Sequence, residues 1–150
     1  MAKERYFMMN RNNGFTLIEL MIVIAVIAII ASIAIPQLYA SLQSGREASA
    51  IASMRVVTTA SEQFNLSQGD YPTGLSDLSN GTPELIDEQL GSGIKGGYTF
   101  LLQSVASTSA WTCTATPDNF AEGRHFFVDQ SGVIRQEFGQ VAGPGSNPVN

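Results

Sequence analysis

An uninterrupted apolar run near the N-terminus constrains this 150-residue chain more than any other feature. Leu20–Ile35 contains no charged residue, and Ser32 is its only polar member. Together with residues 15–19 the run is long enough for one helical crossing of a hydrocarbon core about 30 Å thick. The sequence therefore predicts a membrane-spanning helix over residues 15–35.

The charges on either side of the run predict its orientation. Basic residues outnumber acidic ones in the first fourteen residues, although the net charge of the whole chain is −5. Since basic flanks stay in the cytoplasm, we expect a single-pass protein of the inner (cytoplasmic) membrane with Met1 inside and residues 37–150 outside. The acidic exported part offers no basic surface for nucleic acid, so no nucleic-acid partner is expected.

Two simple interpretations of the run are a cleaved secretory signal and a plain membrane anchor. The run is longer than an ordinary signal core, and a carboxylate, Glu19, lies within the segment. An ionised acid costs at least about 2.5 kcal/mol near the centre of a membrane helix. A plain anchor gives Glu19 no purpose. In the lone subunit we expect its carboxylate to be unpaired, without a positively charged partner.

The residues around Glu19 carry a recognisable pattern. The segment Gly14-Phe15-Thr16-Leu17-Ile18-Glu19-Leu20 follows a short basic leader and opens the apolar run. It resembles the processing and assembly signature of type IV prepilins and the related pseudopilins, over about the first 45 residues. The resemblance implies that a prepilin peptidase removes the cytoplasmic leader, residues 1–14, by cutting between Gly14 and Phe15. It also implies that the same enzyme, a methyltransferase, N-methylates Phe15.

Each part of this pattern has a physical reason. Gly14 has no side chain, so an extended backbone can enter a narrow protease cleft. A cut before the apolar run leaves the anchor on the product. The new amine of Phe15 can pair with Glu19 of its own chain or, as the resemblance implies, of a neighbour, and a paired buried charge fixes register. The implied partners are further copies in a helical filament, the peptidase, the pilus or secretion assembly machinery and the membrane.

The helix is predicted to continue beyond the membrane as an amphipathic segment over residues 36–68. Apolar residues recur at helical spacing up to about Leu66, so one face should pack on a folded domain. Pro36 lacks an amide hydrogen and should kink or locally melt the helix. Gly45 is a second weak point.

Residues 69–150, here called the head, are predicted to hold a small antiparallel sheet. Residues 69–97 are rich in turn residues, with a helical turn expected around Pro83–Leu90. Four strands are predicted at Tyr98–Val105, Ala110–Thr116, Arg124–Asp129 and Val133–Phe138. A hairpin is expected at residues 129–132 and a loose tail over Val141–Asn150. The predicted class is α+β, a long N-terminal helix packed on a small antiparallel sheet, as in pilins.

Few residues suggest chemistry. Cys113 is the single cysteine, so it is either a buried inert thiol or an intermolecular bridge. A dyad of Cys113 with the single histidine, His125, is conceivable, and Asp129 with Ser131 could bind calcium or form an ordinary Asx turn. No metal or cofactor site and no catalytic residue is predicted, so the protein is not expected to be an enzyme. The aromatic residues are expected to form a core, with electron conduction along a fibre as a remote alternative.

The function predicted from these features is structural: a pilin subunit of a type IV pilus, reaching the cell surface on assembly. The alternatives are a pseudopilin of a type II secretion system and a minor or competence pilin. The major pseudopilins usually carry an acidic, Trp-Gly-centred calcium pattern near the C-terminus. This sequence does not show that pattern, which favours the pilin over the pseudopilin.

Overall fold

A long helix and an antiparallel sheet dominate the computed structural model, which describes residues 14–105, 110–119 and 123–149. The helices are α1 (Leu17–Gln68), α2 (Leu75–Ser79) and α3 (Glu88–Gly91). The strands are β1 (Ile94–Lys95), β2 (Tyr98–Val105), β3 (Ala110–Pro117), β4 (Arg124–Asp129), β5 (Arg135–Phe138) and β6 (Asn147–Pro148). The predicted α+β class is confirmed.

The chain divides into two compact units, Met1–Tyr39 and Ala40–Asn150. In the first unit the apolar side chains of α1 are exposed around the whole helix. Within the described ranges, α1 is the one helix that is long and apolar enough to cross a membrane, judged by length and composition.

Helix α1 has 52 residues. The sequence predicted a helix over residues 15–35 that continues over residues 36–68, and α1 begins two residues later than predicted and ends at the predicted residue. Pro36 lies inside the helix and Gly45 is also helical. The local melting predicted at Pro36 is therefore not present in this structure, and adaptation of the helix at these two residues stays a prediction.

The strands follow one another in the order β1-β2-β3-β4-β5-β6, and every neighbouring pair is antiparallel. Alternation gives the sheet an inner face and an outer face. The inner face carries Tyr98, Phe100, Leu102, Trp111, Cys113, Ala115, Phe126 and Val128, all of them buried. The outer face carries the alternate residues, including Thr112, Thr114, His125, Phe127 and Arg135.

The C-terminal half of α1 packs on the inner face. Ala50, Met54, Val57 and Ala60 are buried with the inner-face residues in one hydrophobic core. Their spacing of three or four residues places them along one side of the helix. The core aromatics predicted from alternation are confirmed, and the rings of Tyr98 and Phe126 lie 5.8 Å apart between centroids.

Parts of the head differ from the sequence prediction. Helix α2 was not predicted; its Leu75 and Leu78 are buried in the core. The helical turn predicted from Pro83 begins instead at Glu88, because the Asp87 side chain caps the backbone amide of Leu90 at 3.0 Å.

The tail predicted to be loose is ordered through residue 149. Strand β6 pairs with β5, and the amide of Val149 donates to the carbonyl of Ile134 at 2.8 Å. Ala142 is buried, and the guanidinium of Arg135 donates to the carbonyl of Ser146. Sheet pairing and burial therefore hold this segment, despite its content of Gly, Pro and Asn.

Candidate functional site

The first turn of α1 is a reciprocal hydrogen-bonded cap. Thr16 precedes the helix, and its amide and hydroxyl both donate to Oε2 of Glu19, each at 2.8 Å. The amide of Glu19 donates back to the Thr16 hydroxyl at 3.3 Å. This is a capping box, which satisfies amide groups that a helix N-terminus leaves without intrahelical partners.

The expectation that Glu19 has no charged partner in the lone subunit stays a prediction, but the structure adds hydrogen bonds that the sequence analysis did not include. Its carboxylate accepts two hydrogen bonds from a neighbouring side chain and backbone group. Sequence reasoning missed Thr16, although a Thr followed three residues later by Glu before an apolar run is a recognised pattern.

Gly14 and Phe15 lie immediately before this cap and are open to solvent. A Cβ built on Gly14 would meet nothing within 4 Å, and the Phe15 side chain is 89% exposed. Residues 1–13 of the predicted leader lie outside the described residues. Phe15 and Glu19 are thus brought to the same end of α1, with Gly14 beside them.

The part of α1 that follows the cap has an apolar surface on every side. The large side chains after Glu19 are about half exposed or more. They include Leu20, Met21, Ile22, Val23, Ile24, Val26, Ile27, Ile29, Ile30, Ile33 and Ile35. A continuous apolar surface of this kind marks contact with a membrane or with other proteins.

The sheet register separates Cys113 from His125. Cys113 pairs with Val128 and lies on the inner face, whereas His125 lies with Phe127 on the outer face. The two side chains therefore point to opposite sides of the sheet, and the conceivable dyad is excluded. Cys113 has no exposed surface, which confirms the prediction of a buried thiol. This burial raises the pKa of the thiol to about 12 and keeps it protonated at neutral pH.

Asp129 forms the Asx turn that was one of its two predicted roles. Its Oδ1 accepts hydrogen bonds from the amide and the hydroxyl of Ser131. The amide of Gly132, which has a positive φ of 71°, donates to the carbonyl of Asp129. These bonds close the predicted hairpin turn. The described residues contain no group of three or more metal-ligating side chains.

Two shallow grooves lie on the second unit. One, of about 270 Å³, is lined by Arg55, Val56, Thr59, Ala60, Gln63 and Leu85. The other, of the same volume, is lined by Arg124, Gln136, Glu137, Phe138 and Asn147. Neither lining combines a nucleophile with a general base, so neither forms a recognisable catalytic set.

The chain is similar to a described family and to several known proteins. A family model described as the prokaryotic N-terminal methylation motif matches residues 9–35. The type IV major pilin protein PilA of Myxococcus xanthus is 40% identical over 70 residues, which cover 47% of this chain and 30% of that protein.

Two further relatives extend the comparison. The type II secretion system core protein G of Aeromonas hydrophila is 33% identical over 73 residues, covering 47% of this chain and 51% of that protein. A fimbrial protein of Pseudomonas aeruginosa is 29% identical over 138 residues, covering 72% of this chain and 88% of that protein. The matches to PilA and core protein G thus span about half or less of those relatives, and no solved structure matches.

Proposed function

We propose that this chain is a structural subunit of a type IV pilus. It carries the prokaryotic N-terminal methylation motif and is similar to a type IV pilin and to a type II secretion core protein. The observation that carries the proposal is the N-terminal half of α1, apolar and exposed on every side, joined without a break to a helix half that packs on a sheet. Lipid or other copies of the same helix would cover that surface.

Processing would convert the membrane precursor into the subunit. Residues 1–14 would be removed by a prepilin peptidase that cuts between Gly14 and Phe15, and the new amino group of Phe15 would be methylated. The exposure of both residues before the helix supports access by such an enzyme. The anchor would stay on the product, because the cut precedes the apolar run.

Assembly would then bury the apolar half of α1 among neighbouring copies. The Phe15 ammonium of one copy would pair with the Glu19 carboxylate of another, and this pair would set the axial register. A charge pair in apolar surroundings is strongly disfavoured when one partner is missing, so only subunits in register would be stable.

The proposed role is structural and not enzymatic. The partners would be further copies, the prepilin peptidase and methyltransferase, and the assembly machinery of the membrane. Before assembly the head would lie outside the cytoplasm, and after assembly it would lie on the fibre at the cell surface.

A pseudopilus of a type II secretion system is the second candidate. The similarity to core protein G supports it, but that similarity covers less than half of this chain. The similarity to the fimbrial protein extends over 72% of the chain and so includes much of the head. Deleting the gene distinguishes the two: loss of long surface fibres supports the pilus, and retention of normally secreted enzymes inside the cell supports the pseudopilus.

The proposal is tested first by processing. Intact-mass measurement of the protein from membranes and from sheared fibres should show loss of residues 1–14 and the gain of one methyl group. Gly14→Val should leave the uncut precursor in the membrane, because a β-branched side chain obstructs the extended backbone at the cut. A mature terminus beyond Ile35 would instead indicate a secretory signal and refute the proposal.

Assembly is tested with Glu19→Val. The variant should be cut and inserted normally, since the span becomes more hydrophobic. Sheared fibres should contain little or none of it when it is the only copy expressed, because the register pair is gone. Normal amounts of fibre from the variant alone would show that apolar packing suffices.

A further inference from the structure

We infer that Thr16 is a positioning residue for assembly: it holds the Glu19 carboxylate through Oε2 and leaves Oε1 for the Phe15 ammonium of the neighbouring copy. This inference rests on the proposed function. It assigns to Thr16 a role distinct from processing and from the general apolar packing of α1.

The geometry of the cap carries the inference. Both donors of Thr16, its amide and its hydroxyl, bond to the same oxygen of Glu19. The return bond from the Glu19 amide fixes the hydroxyl, so its proton is directed toward Oε2. A carboxylate has two oxygens and about four acceptor positions, so this arrangement leaves a second oxygen for a cation.

The cap is compatible with processing. A cut between Gly14 and Phe15 leaves the peptide bond between Phe15 and Thr16 intact, so the Thr16 amide hydrogen survives. The new positive charge then lies one residue before the cap, at the position where each copy would offer it to its neighbour. The same turn therefore holds both the cation and the oriented anion of the proposed pair.

Orientation matters because the glutamate side chain is otherwise flexible. A free Glu loses substantial rotamer entropy when it is fixed in a contact. A side chain already held in its bound conformation loses less on binding. The Thr16 hydroxyl therefore prepares Glu19 before the neighbour arrives.

Three variants of the full chain test the inference. Thr16→Val removes the hydroxyl and keeps the shape, and Thr16→Ser keeps the hydroxyl. Ser32→Ala is the matched control, since it removes another hydroxyl of α1, one that donates to the carbonyl of Ile29. Each tagged variant is expressed beside wild-type subunits, and its share in sheared fibres is divided by its share among processed subunits in the membrane.

We expect Thr16→Val to reduce this ratio by about tenfold, within the range measured for loss of a helix N-cap. Thr16→Ser and Ser32→Ala should stay within about twofold of the wild type. Because the ratio counts only processed subunits, altered cutting does not enter it.

Amide exchange in detergent micelles provides a readout that does not depend on assembly. If the hydroxyl positions Glu19, Thr16→Val should accelerate exchange of the amide at position 16, although that amide itself is retained. Thr16→Ser should restore slow exchange, and Glu19→Gln should also give fast exchange.

The outcomes separate the inference from the proposed function. Thr16→Val that enters fibres as well as Ser32→Ala, or unchanged exchange at position 16, would overturn the role of Thr16 and leave the pilus proposal standing. Glu19→Gln that enters fibres like the wild type would overturn the register pair itself.

Discussion

Cys113 is the residue whose environment most alters its chemistry. It lies on β3 in the centre of the core, with no exposed surface. Only the thiolate is an effective nucleophile or disulfide partner, and burial suppresses that form by raising the pKa. The alternative of an intermolecular bridge through Cys113 is therefore disfavoured in the folded subunit.

Alkaline pH should reveal this burial. The folded-state pKa of about 12 lies above that of an unfolded cysteine, so the stabilisation is complete below about pH 8.5 and is lost as the pH rises toward 12. Urea unfolding of the full chain in detergent should show a fall approaching about 1.4 kcal/mol per pH unit between pH 9 and 10. Cys113→Ala should flatten this slope, and an equal slope in both proteins would contradict the assignment.

At the same scale, Thr16 and Glu19 show what the sequence could and could not predict about the site. The motif predicted roles for Gly14, Phe15 and Glu19, and these roles stay predictions. The hydrogen bonds of Glu19 were also accessible, since a capping box is a local pattern of four residues. The opposite placement of Cys113 and His125 was not, because it depends on strand register between β3 and β4.

Elements with strong periodicity were predicted closely. Strands β2, β3 and β4 were predicted to within one residue at each end. Burial alternates along β3, whereas β4 is marked by a run of β-forming apolar residues, Phe126, Phe127 and Val128. Strands β1 and β6 have two residues each, too few for any period, and they exist because longer strands offer them an edge. Helix α2 was missed for a similar reason: its five residues are held by burial of Leu75 and Leu78.

The C-terminal segment provides a direct test at the scale of an element. Ala142 is 3% exposed whereas its neighbour Val141 is 58% exposed. Ala142→Glu should lower the free energy of unfolding by about 2–4 kcal/mol, because it buries an unpaired charge. Val141→Glu, the matched control, should change it by no more than about 0.5 kcal/mol.

Chemical denaturation of the full chain in detergent measures both values. Equal stability of the two variants would restore the interpretation of residues 141–150 as a loose tail. The segment then could not contribute to the stability of the head.

At the scale of the whole molecule, the second unit folds without a disulfide within the chain, because Cys113 is the single cysteine. An ion pair connects α1 to the sheet, since Arg124 lies 3.6 Å from the carboxylate of Glu47. Within the sheet, the hydroxyl of Tyr98 donates to the backbone carbonyl of Arg124. The hydrophobic core supplies most of the stabilisation, since a surface ion pair contributes about 1 kcal/mol or less.

The orientation of the molecule in the membrane can be measured by labelling introduced cysteines with maleimides. Because Cys113 is buried and protonated, it should remain silent toward maleimides. A cysteine introduced by Gln63→Cys, on the exposed surface of α1, should react with a membrane-impermeant maleimide on intact spheroplasts. One introduced by Ala2→Cys in the Gly14→Val precursor should react only after lysis.

The reverse labelling pattern would contradict the orientation predicted from the flanking charges. Labelling of both sites on intact spheroplasts would contradict a membrane-spanning precursor. Detection of the labelled chain by mass spectrometry identifies the site in each case.

The unbroken course of α1 has a mechanical consequence. A force that pulls the two units apart acts along the single backbone of α1. Pro36 has no amide hydrogen to donate to the carbonyl of Ser32, so this turn lacks one of its helical hydrogen bonds and resists extension least. Extending four residues from helical to stretched geometry adds about 7 Å per subunit. A fibre of such subunits would lengthen elastically at this turn of α1, at forces lower than those that unfold the heads.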